Sequence, residues 1–268
     1  MVHDRGMARI GILGVGTIAE AVVRAMCTRP GQADEFILSP RSEARSMRLA
    51  EEFGNCRRAE SNQAVIDACD IVVLAMRPQD LDEALEGLTF REDQIVASFI
   101  AALPPSQVAE LTAPAIRTCQ VIPLPAIAVH RGPLVISPGV PEVVEVFDGL
   151  GDVIVLDDET KIRVLSCASA IMSTYYEAQN RVIDWIVDQG VAPRTASLYI
   201  RSELEGLASV GKAVSEDQRA ELPAEHQTPG GLNERVRAGL LEQGWFDALV
   251  AQVDGIYRNA VLRGPDAD

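Results

Sequence analysis

Apolar residues along the first part of the chain fall in short runs that read as strands: Ile10–Leu13, Glu35–Leu38, Ile71–Ala75, Ile95–Phe99 and Thr118–Ile122. Most of these runs are apolar at successive positions, so both faces need cover, as in a parallel sheet flanked by helices. Between them, apolar residues recur at helical spacing over Ile18–Cys27, Glu43–Phe53, Gln63–Ala68 and Pro105–Leu111. Alternating strands and helices predict an α/β fold built on a Rossmann-type doubly wound sheet. Val153–Leu156 reads as its last strand. Beyond Asp158 the strand signals stop. Glu159–Gln189, about thirty residues without Pro or Gly, carries apolar residues at helical spacing and predicts one long helix stopped by Gly190. Pro193 opens a second helix, a third starts near Leu232, and Trp245–Leu262 forms a fourth. The expected organisation is an α/β domain over 1–158 and an all-helical domain over 159–268.

Gly14-Val15-Gly16-Thr17-Ile18-Ala19 directly follows the first strand and opens the first helix. In this G-x-G-x-x-A pattern the first glycine permits a tight turn and the second lets the backbone approach a pyrophosphate. The alanine lets helix and strand pack closely. Gly14, Gly16, Thr17 and Ile18 are therefore candidate dinucleotide-binding residues, with exposed N–H groups at the helix start meeting the phosphates. A glycine-rich turn can also serve only to reverse the chain; the setting in the first unit of a β/α series argues for the dinucleotide. An NAD site usually carries an Asp or Glu at the end of the second strand, for the ribose 2′-hydroxyl. Here Leu38 is followed by Ser39-Pro40-Arg41-Ser42, with no carboxylate before Glu43. Two hydroxyls and a guanidinium suit a 2′-phosphate, so Ser39, Arg41 and Ser42 point to NADP(H). The alternative is a helix capped by Ser42 beside a solvated Arg41.

Charge narrows the partners. The chain has 268 residues with 24 Lys and Arg against 39 Asp and Glu, a net charge of −15. Such a surface repels polyanions, so nucleic acid is not expected as a partner, whereas a local nest of N–H groups can still hold an anionic cofactor. The hydrophobic share of 47% excludes a disordered chain. Five cysteines are scattered, odd in number and without a Cys-x-x-Cys pair. They read as reduced thiols, and no disulfide framework or metal site is expected. The longest apolar runs are too short to span a bilayer, and Met1–Gly6 lacks the apolar core of a signal peptide. A cytoplasmic protein without membrane contact is expected.

Four stretches fall in order along the chain: Gly11–Ala19, Leu74-Ala75-Met76-Arg77-Pro78-Gln79, Ile100-Ala101-Ala102 and Thr228-Pro229-Gly230-Gly231. Together they resemble the pyrroline-5-carboxylate reductase family over essentially the whole chain. The resemblance implies a Rossmann domain followed by a helical dimerisation domain, and so a homodimer or higher homo-oligomer. It implies an NADPH-dependent reduction of a small cyclic imino acid, 1-pyrroline-5-carboxylate to L-proline. Met76-Arg77-Pro78 stands where the family has Val-Lys-Pro beside the cofactor, which assigns Met76 and Arg77 to cofactor binding. Gly230, Gly231, Leu232 and Asn233 stand in the family's Ser-Pro-Gly-Gly-Thr-Thr segment, which holds the substrate carboxylate.

The substrate side departs from the family pattern. Ile122-Pro123-Leu124-Pro125 matches a Met-Pro-Asn-Thr-Pro loop but is one residue shorter and lacks the Asn-Thr pair. Cys167-Ala168-Ser169-Ala170-Ile171 replaces Gly-Ser-Gly-Pro-Ala, and the two threonines after Gly-Gly are Leu232 and Asn233. Two alternatives stay open: an NADP oxidoreductase of the same scaffold acting on a different substrate, and a non-catalytic dinucleotide-binding protein.

Ser169, Ser173, Tyr176 and Asn180 recur at offsets of four, three and four, a polar stripe on the long helix. Tyr176 is a candidate proton donor to the imine nitrogen, or else a tyrosine at a helix–helix contact with a satisfied hydroxyl. No lysine lies between Lys161 and Lys212, which disfavours alcohol oxidation by a Lys-x-x-x-Asn pair. Gly230-Gly231 before Leu232 can present N–H groups to an anion, or form a plain turn capped by Asn233 or Thr228. His130 and His226 are isolated and read as loop histidines.

Overall fold

The computed structural model describes residues 7–31, 34–101 and 103–262. Met1–Gly6 and Ala102, both used in the reading above, lie outside the described residues. The chain divides into two compact units, Met1–Ser166 and Cys167–Asp268. That division falls inside the helix after the sheet rather than ahead of it.

The first unit runs β1 (Arg9–Leu13), α1 (Thr17–Thr28), β2 (Glu35–Leu38), α2 (Glu43–Glu52), β3 (Cys56–Arg58), α3 (Asn62–Ala68) and β4 (Ile71–Leu74). It continues through α4 (Leu81–Leu85), β5 (Ile95–Ser98), α5 (Pro105–Leu111), β6 (Arg117–Pro123), β7 (Pro133–Ser137), α6 (Pro141–Phe147) and β8 (Asp152–Val155). One sheet holds the strands in the order β3-β2-β1-β4-β5-β6-β7-β8. All neighbours are parallel except β6 and β7, which are antiparallel. The Rossmann order is thus present, extended at one edge.

Two buried clusters lie on the two faces of the sheet. Ile10 and Ile12 join Val22, Met26 and Phe147 from α1 and α6, whereas Leu13, Val72 and Leu74 join Val65, Ile66 and Val108 from α3 and α5. Successive strand residues feed opposite faces, which is why the strand runs are continuously apolar. Gly11 is required by α3, because a Cβ there would lie 2.7 Å from Val65 Cγ1 and 2.8 Å from Cys69 Sγ.

Two strands, the short helices α4 and α6, and a helix break differ from expectation. β3 was missed because Cys-Arg-Arg at a sheet edge carries one buried side chain and two exposed ones, too short a pattern to show a period. β7 was missed because it begins with a proline and leaves β6 through an antiparallel return that strand propensity does not encode. The single helix expected over Glu159–Gln189 is two, α7 (Glu159–Ala168) and α8 (Ile171–Asp188). The break uses no Gly or Pro. Two i to i−3 bonds, Ala170 N–H to Cys167 O at 3.1 Å and Met172 N–H to Ser169 O at 3.2 Å, tighten the chain there.

The second unit continues with α9 (Pro193–Ala213), α10 (Leu222–Glu225), α11 (Leu232–Glu242) and α12 (Trp245–Leu262). Its buried cluster is small: Ile183 of α8 with Ala196 and Ile200 of α9. Among the described residues, no helix is long and apolar enough to cross a membrane, and no group of three or more His, Cys, Asp or Glu is placed to hold a metal.

Candidate functional site

A cleft of about 350 Å³ opens at the carboxyl ends of the parallel strands, lined by Gly16, Thr17, Ile18 and Ala19 on one side and Ala75, Met76 and Arg77 on another. It lies over β1 and β4, where the strand order reverses, the crevice in which doubly wound sheets take ligands. Phe99, Ala101, Ile122 and Pro123 complete it; Ala101, Ile122 and Pro123 belong to stretches that the sequence singles out, whereas Phe99 does not. Their common mark is their place just after β5 or at the end of β6, and only the strand order shows that these two places line one crevice.

The glycine-rich turn has the geometry its sequence implies. Gly14 sits at φ +89°, and a Cβ there would meet the backbone of Ala75 and Met76 at 3.0 Å. Gly16 caps α1 in an extended conformation with no side-chain acceptor for the first N–H groups. The N–H groups of Thr17, Ile18 and Ala19 therefore lack intrahelical acceptors and stand at the positive end of the helix dipole. The nearest atom to an added Cβ at Gly16 is Ala75 O at 3.9 Å, so space remains for a bulky anion.

At the end of β2, Ser39 is fully buried and its Oγ has no hydrogen-bond partner. A buried hydroxyl without a partner is costly, and a ligand oxygen arriving here would satisfy it. Ser42 adopts a left-handed conformation at φ 65° and makes no capping bond, so the helix-cap alternative is not realised. Arg41 is half-exposed and pairs with Glu83 at 3.5 Å. Sequence reading missed two further arginines at this corner. Arg45 Nη2 donates to Thr17 Oγ1 at 3.2 Å, and Arg58 Nη2 donates to the Pro40 carbonyl at 3.1 Å. They escaped notice because one lies a helical turn beyond the loop and the other on β3. An orphaned hydroxyl, three guanidiniums and an open helix start fit a dinucleotide with an extra phosphate.

Arg77 forms a two-bond pair with Asp80, Nε to Oδ2 at 2.8 Å and Nη2 to Oδ1 at 3.1 Å. This hydrogen bonding, then the charges of Arg77 and Arg41, hold the Asp80 carboxyl below its usual range. The cleft wall is braced from behind. Gln120 donates to the carbonyls of Ile100 and Ala101 at 2.8 and 2.7 Å, and Phe99 packs edge-to-face on Phe147 with centroids 6.0 Å apart.

In the second unit, α11 starts at Leu232 with Gly231 as its cap. Gly231 N–H donates to Thr228 O at 2.7 Å, and Gly230 N–H donates to the Glu234 carboxylate. The expectation that both glycines offer N–H groups to a substrate anion is thereby corrected: both donors are used within the turn. The cap on α11 is no side chain, since Asn233 Nδ2 reaches back to the His226 carbonyl at 2.8 Å instead. The N–H groups of Leu232 and Asn233 remain at the helix start. Tyr176 is exposed on α8 and packs edge-to-face on Tyr175 at 5.3 Å. Ser169 lies in the break before α8, so the polar stripe on α8 itself comprises Ser173, Tyr176 and Asn180. His130 lies within hydrogen-bond distance of Thr28 Oγ1 and Gly149 O, both distant in sequence, and His226 of Leu222 O one helical turn before it.

Residues 9–102 match the family model described as NADP oxidoreductase, coenzyme F420-dependent. The pyrroline-5-carboxylate reductase of Corynebacterium melassecola is 22% identical over 250 residues, covering 89% of this chain and 92% of that protein. A solved 1-pyrroline-5-carboxylate reductase from Streptococcus pyogenes superposes with a TM-score of 0.81 at 21% identity, covering 94% of this chain and 97% of that one. The Plasmodium falciparum pyrroline carboxylate reductase, solved with NADP bound, gives 0.78 at 16% identity with the same coverage. In sequence along most of its length and in fold along nearly all of it, the chain is similar to pyrroline-5-carboxylate reductases.

Proposed function

We propose that this protein is an NADPH-dependent reductase of the C=N bond in a small cyclic imino acid, 1-pyrroline-5-carboxylate to L-proline. The observation that carries the reading is the crevice over β1 and β4, joined to a likeness that runs through both units. Bound NADPH supplies the hydride that turns C=N into CH–NH, and one proton taken up at nitrogen completes the balance. The chain supplies binding and orientation. The open start of α1 receives the pyrophosphate, and Gly14 keeps the turn tight enough to present it. Ser39, Arg41 and Ser42 receive the 2′-phosphate, while Met76 and Arg77 flank the nicotinamide end. The N–H groups of Leu232 and Asn233 receive the substrate carboxylate, favoured there by the helix dipole. Tyr176 donates the proton.

NADPH oxidation measured over a panel of cyclic imines tests the reading, with proline expected as the product from pyrroline-5-carboxylate. Turnover of another imine alone would move the assignment to that substrate, a second reading favoured by Leu232, Asn233 and the shortened loop at Ile122–Pro125. Cofactor binding with no turnover would leave a non-catalytic dinucleotide-binding protein.

Leu232→Pro probes the carboxylate site without disturbing the fold. Position 232 is the first of its helix, where proline is tolerated, and Gly231 at φ −76°, ψ 174° already has the conformation that precedes a proline. The variant should fold normally and raise KM about tenfold for carboxylated imines, but not for uncharged ones, because one charge-assisted bond is lost. An unchanged KM for carboxylated imines, or the same change for both classes, would place the carboxylate elsewhere. For the proton donor, Tyr176→Phe should lower kcat about a hundredfold and leave NADPH affinity unchanged. An unchanged kcat would return Tyr176 to a packing role.

The helical unit also supports a homodimer. Trp185, Leu198 and Val250 are 62%, 67% and 67% exposed, against a buried cluster of only Ile183, Ala196 and Ile200 among the described residues. That is more apolar surface than one copy leaves open in water without reason. Sedimentation at micromolar concentration should show a dimer; a stable monomer would refute it. A cytoplasmic location follows from the same reading of the thiols and the cofactor.

A further inference from the structure

The five cysteines look scattered in the sequence, yet the fold brings two of them together. Cys27, in the last turn of α1, and Cys56, the first residue of β3, have their Sγ atoms 3.5 Å apart. They come from opposite ends of a 29-residue separation, and neither belongs to the cofactor crevice. We propose that Cys27 and Cys56 form a reversible disulfide on reaction with a hydroperoxide, stapling α1 to the sheet edge.

The two thiols are suited to different halves of the reaction. Cys27 is only partly buried, whereas Cys56 is buried in the main core cluster. Hydrogen bonding from Cys56, then from the Asn55 side chain, then the charge of Arg24 draw the Cys27 thiol toward its ionised form against partial burial and the charge of Glu52. Hydrogen bonding to Cys27 and burial push Cys56 up. A partly exposed thiol drawn toward its thiolate is the better nucleophile toward a peroxide. Once Cys27 is oxidised, the hydrogen bond that does most to hold the Cys56 proton is gone, and the Cys56 sulfur, already within contact, gives up its proton to the departing hydroxide as it resolves the product. The remaining cysteines do not compete within the first unit. Burial pushes both Cys69 and Cys119 up to about 12.

The steps balance. The Cys27 thiolate attacks the distal oxygen of the hydroperoxide, the O–O bond breaks, and the leaving alkoxide takes a proton to become an alcohol, leaving Cys27 as a sulfenic acid. The Cys56 sulfur then attacks the Cys27 sulfur, the S–O bond breaks, and water leaves with the Cys56 proton. Two thiols and one hydroperoxide become one disulfide, one alcohol and one water. A dithiol reductant restores both thiols by exchange. The staple lies about 15 Å along α1 from the glycine-rich turn, at 1.5 Å per residue, so cofactor binding should persist in the oxidised form.

Hydrogen peroxide treatment of the full-length protein, followed by thiol titration and non-reducing peptide mapping, tests this. Titratable thiols should fall from five to three, with one crosslinked peptide pair containing Cys27 and Cys56, and dithiothreitol should restore five. Tm should rise by about 5–10 °C on oxidation, because closing the loop restricts the unfolded chain. In Cys56→Ser the reaction should stop at a Cys27 sulfenic acid that dimedone traps, and in Cys27→Ser no disulfide should form. Retention of all five thiols, a crosslink through another cysteine, or unchanged disulfide formation in Cys27→Ser would overturn the proposal. A Tm that does not rise would overturn the stapling role.

Discussion

Gly14→Ala is expected to cost about 2–4 kcal/mol of stability and to abolish measurable dinucleotide binding. At φ +89° an alanine carries the strain of the left-handed region, about 1–2 kcal/mol, before any contact is counted. Its Cβ would then press at 3.0 Å on three backbone atoms of Ala75 and Met76, which sit at the end of a central strand and cannot swing aside. Either the turn opens or β1 and β4 separate, and both outcomes move the start of α1. Gly16→Ala is the contrasting control. Gly16 has φ −79°, ψ −177°, which any residue adopts, and nothing within 3.9 Å of its added Cβ. Stability should stay within about 0.5 kcal/mol, while NADPH affinity should fall at least about tenfold because the methyl occupies the phosphate's approach. Urea denaturation and fluorescence titration separate the two effects. If Gly16→Ala binds NADPH normally, the pyrophosphate does not pass over this turn.

Arg41→Ala should weaken NADPH by roughly 10- to 100-fold and NADH by far less, since only NADPH carries the phosphate that a guanidinium pairs with. The present partner of Arg41 does not argue against this. Its contact with Glu83 is 3.5 Å long between groups that are 49% and 76% exposed, and such a surface pair contributes about 0–1 kcal/mol. A dianionic phosphate beside Ser39 and Arg58 offers more charge and two acceptors for a forked donor. Arg58→Ala should give a smaller loss of the same kind, and it should also loosen the loop through the missing bond to the Pro40 carbonyl. Equal losses for both cofactors in Arg41→Ala would assign that side chain to the adenine or to the fold.

The glycine turn and the loop after β2 were legible for different reasons. The glycine turn is written in consecutive residues, and its local conformation depends on nothing distant except the close backbone of Ala75. The loop after β2 was half legible: Ser39, Arg41 and Ser42 lie within four residues of one another, whereas Arg45 and Arg58 join them only through α2 and the edge pairing of β3 with β2. The orphaned Oγ of Ser39 is a property of burial and no pattern announces it. The same holds at α11, where Gly-Gly in the sequence promised two free donors. The folded turn spends one on Thr228 O and the other on Glu234, three and four residues away.

The hydrophobic pattern by itself determined the strand-helix alternation, the two-sided burial of the central strands and the change to an all-helical unit, because each follows from local periodicity repeated over several residues. The tight turn after β1 is likewise written in the sequence, since the backbone freedom that Gly14 needs is a property of one residue. Only the tertiary structure decided the antiparallel return of β7, the break between α7 and α8, the bracing of the cleft by Gln120 and Phe147, and the meeting of Cys27 with Cys56. Each of these joins groups far apart in the chain, or is a bend without a Gly or Pro to mark it. Their energies come from packing and hydrogen bonds that exist only once the sheet has assembled.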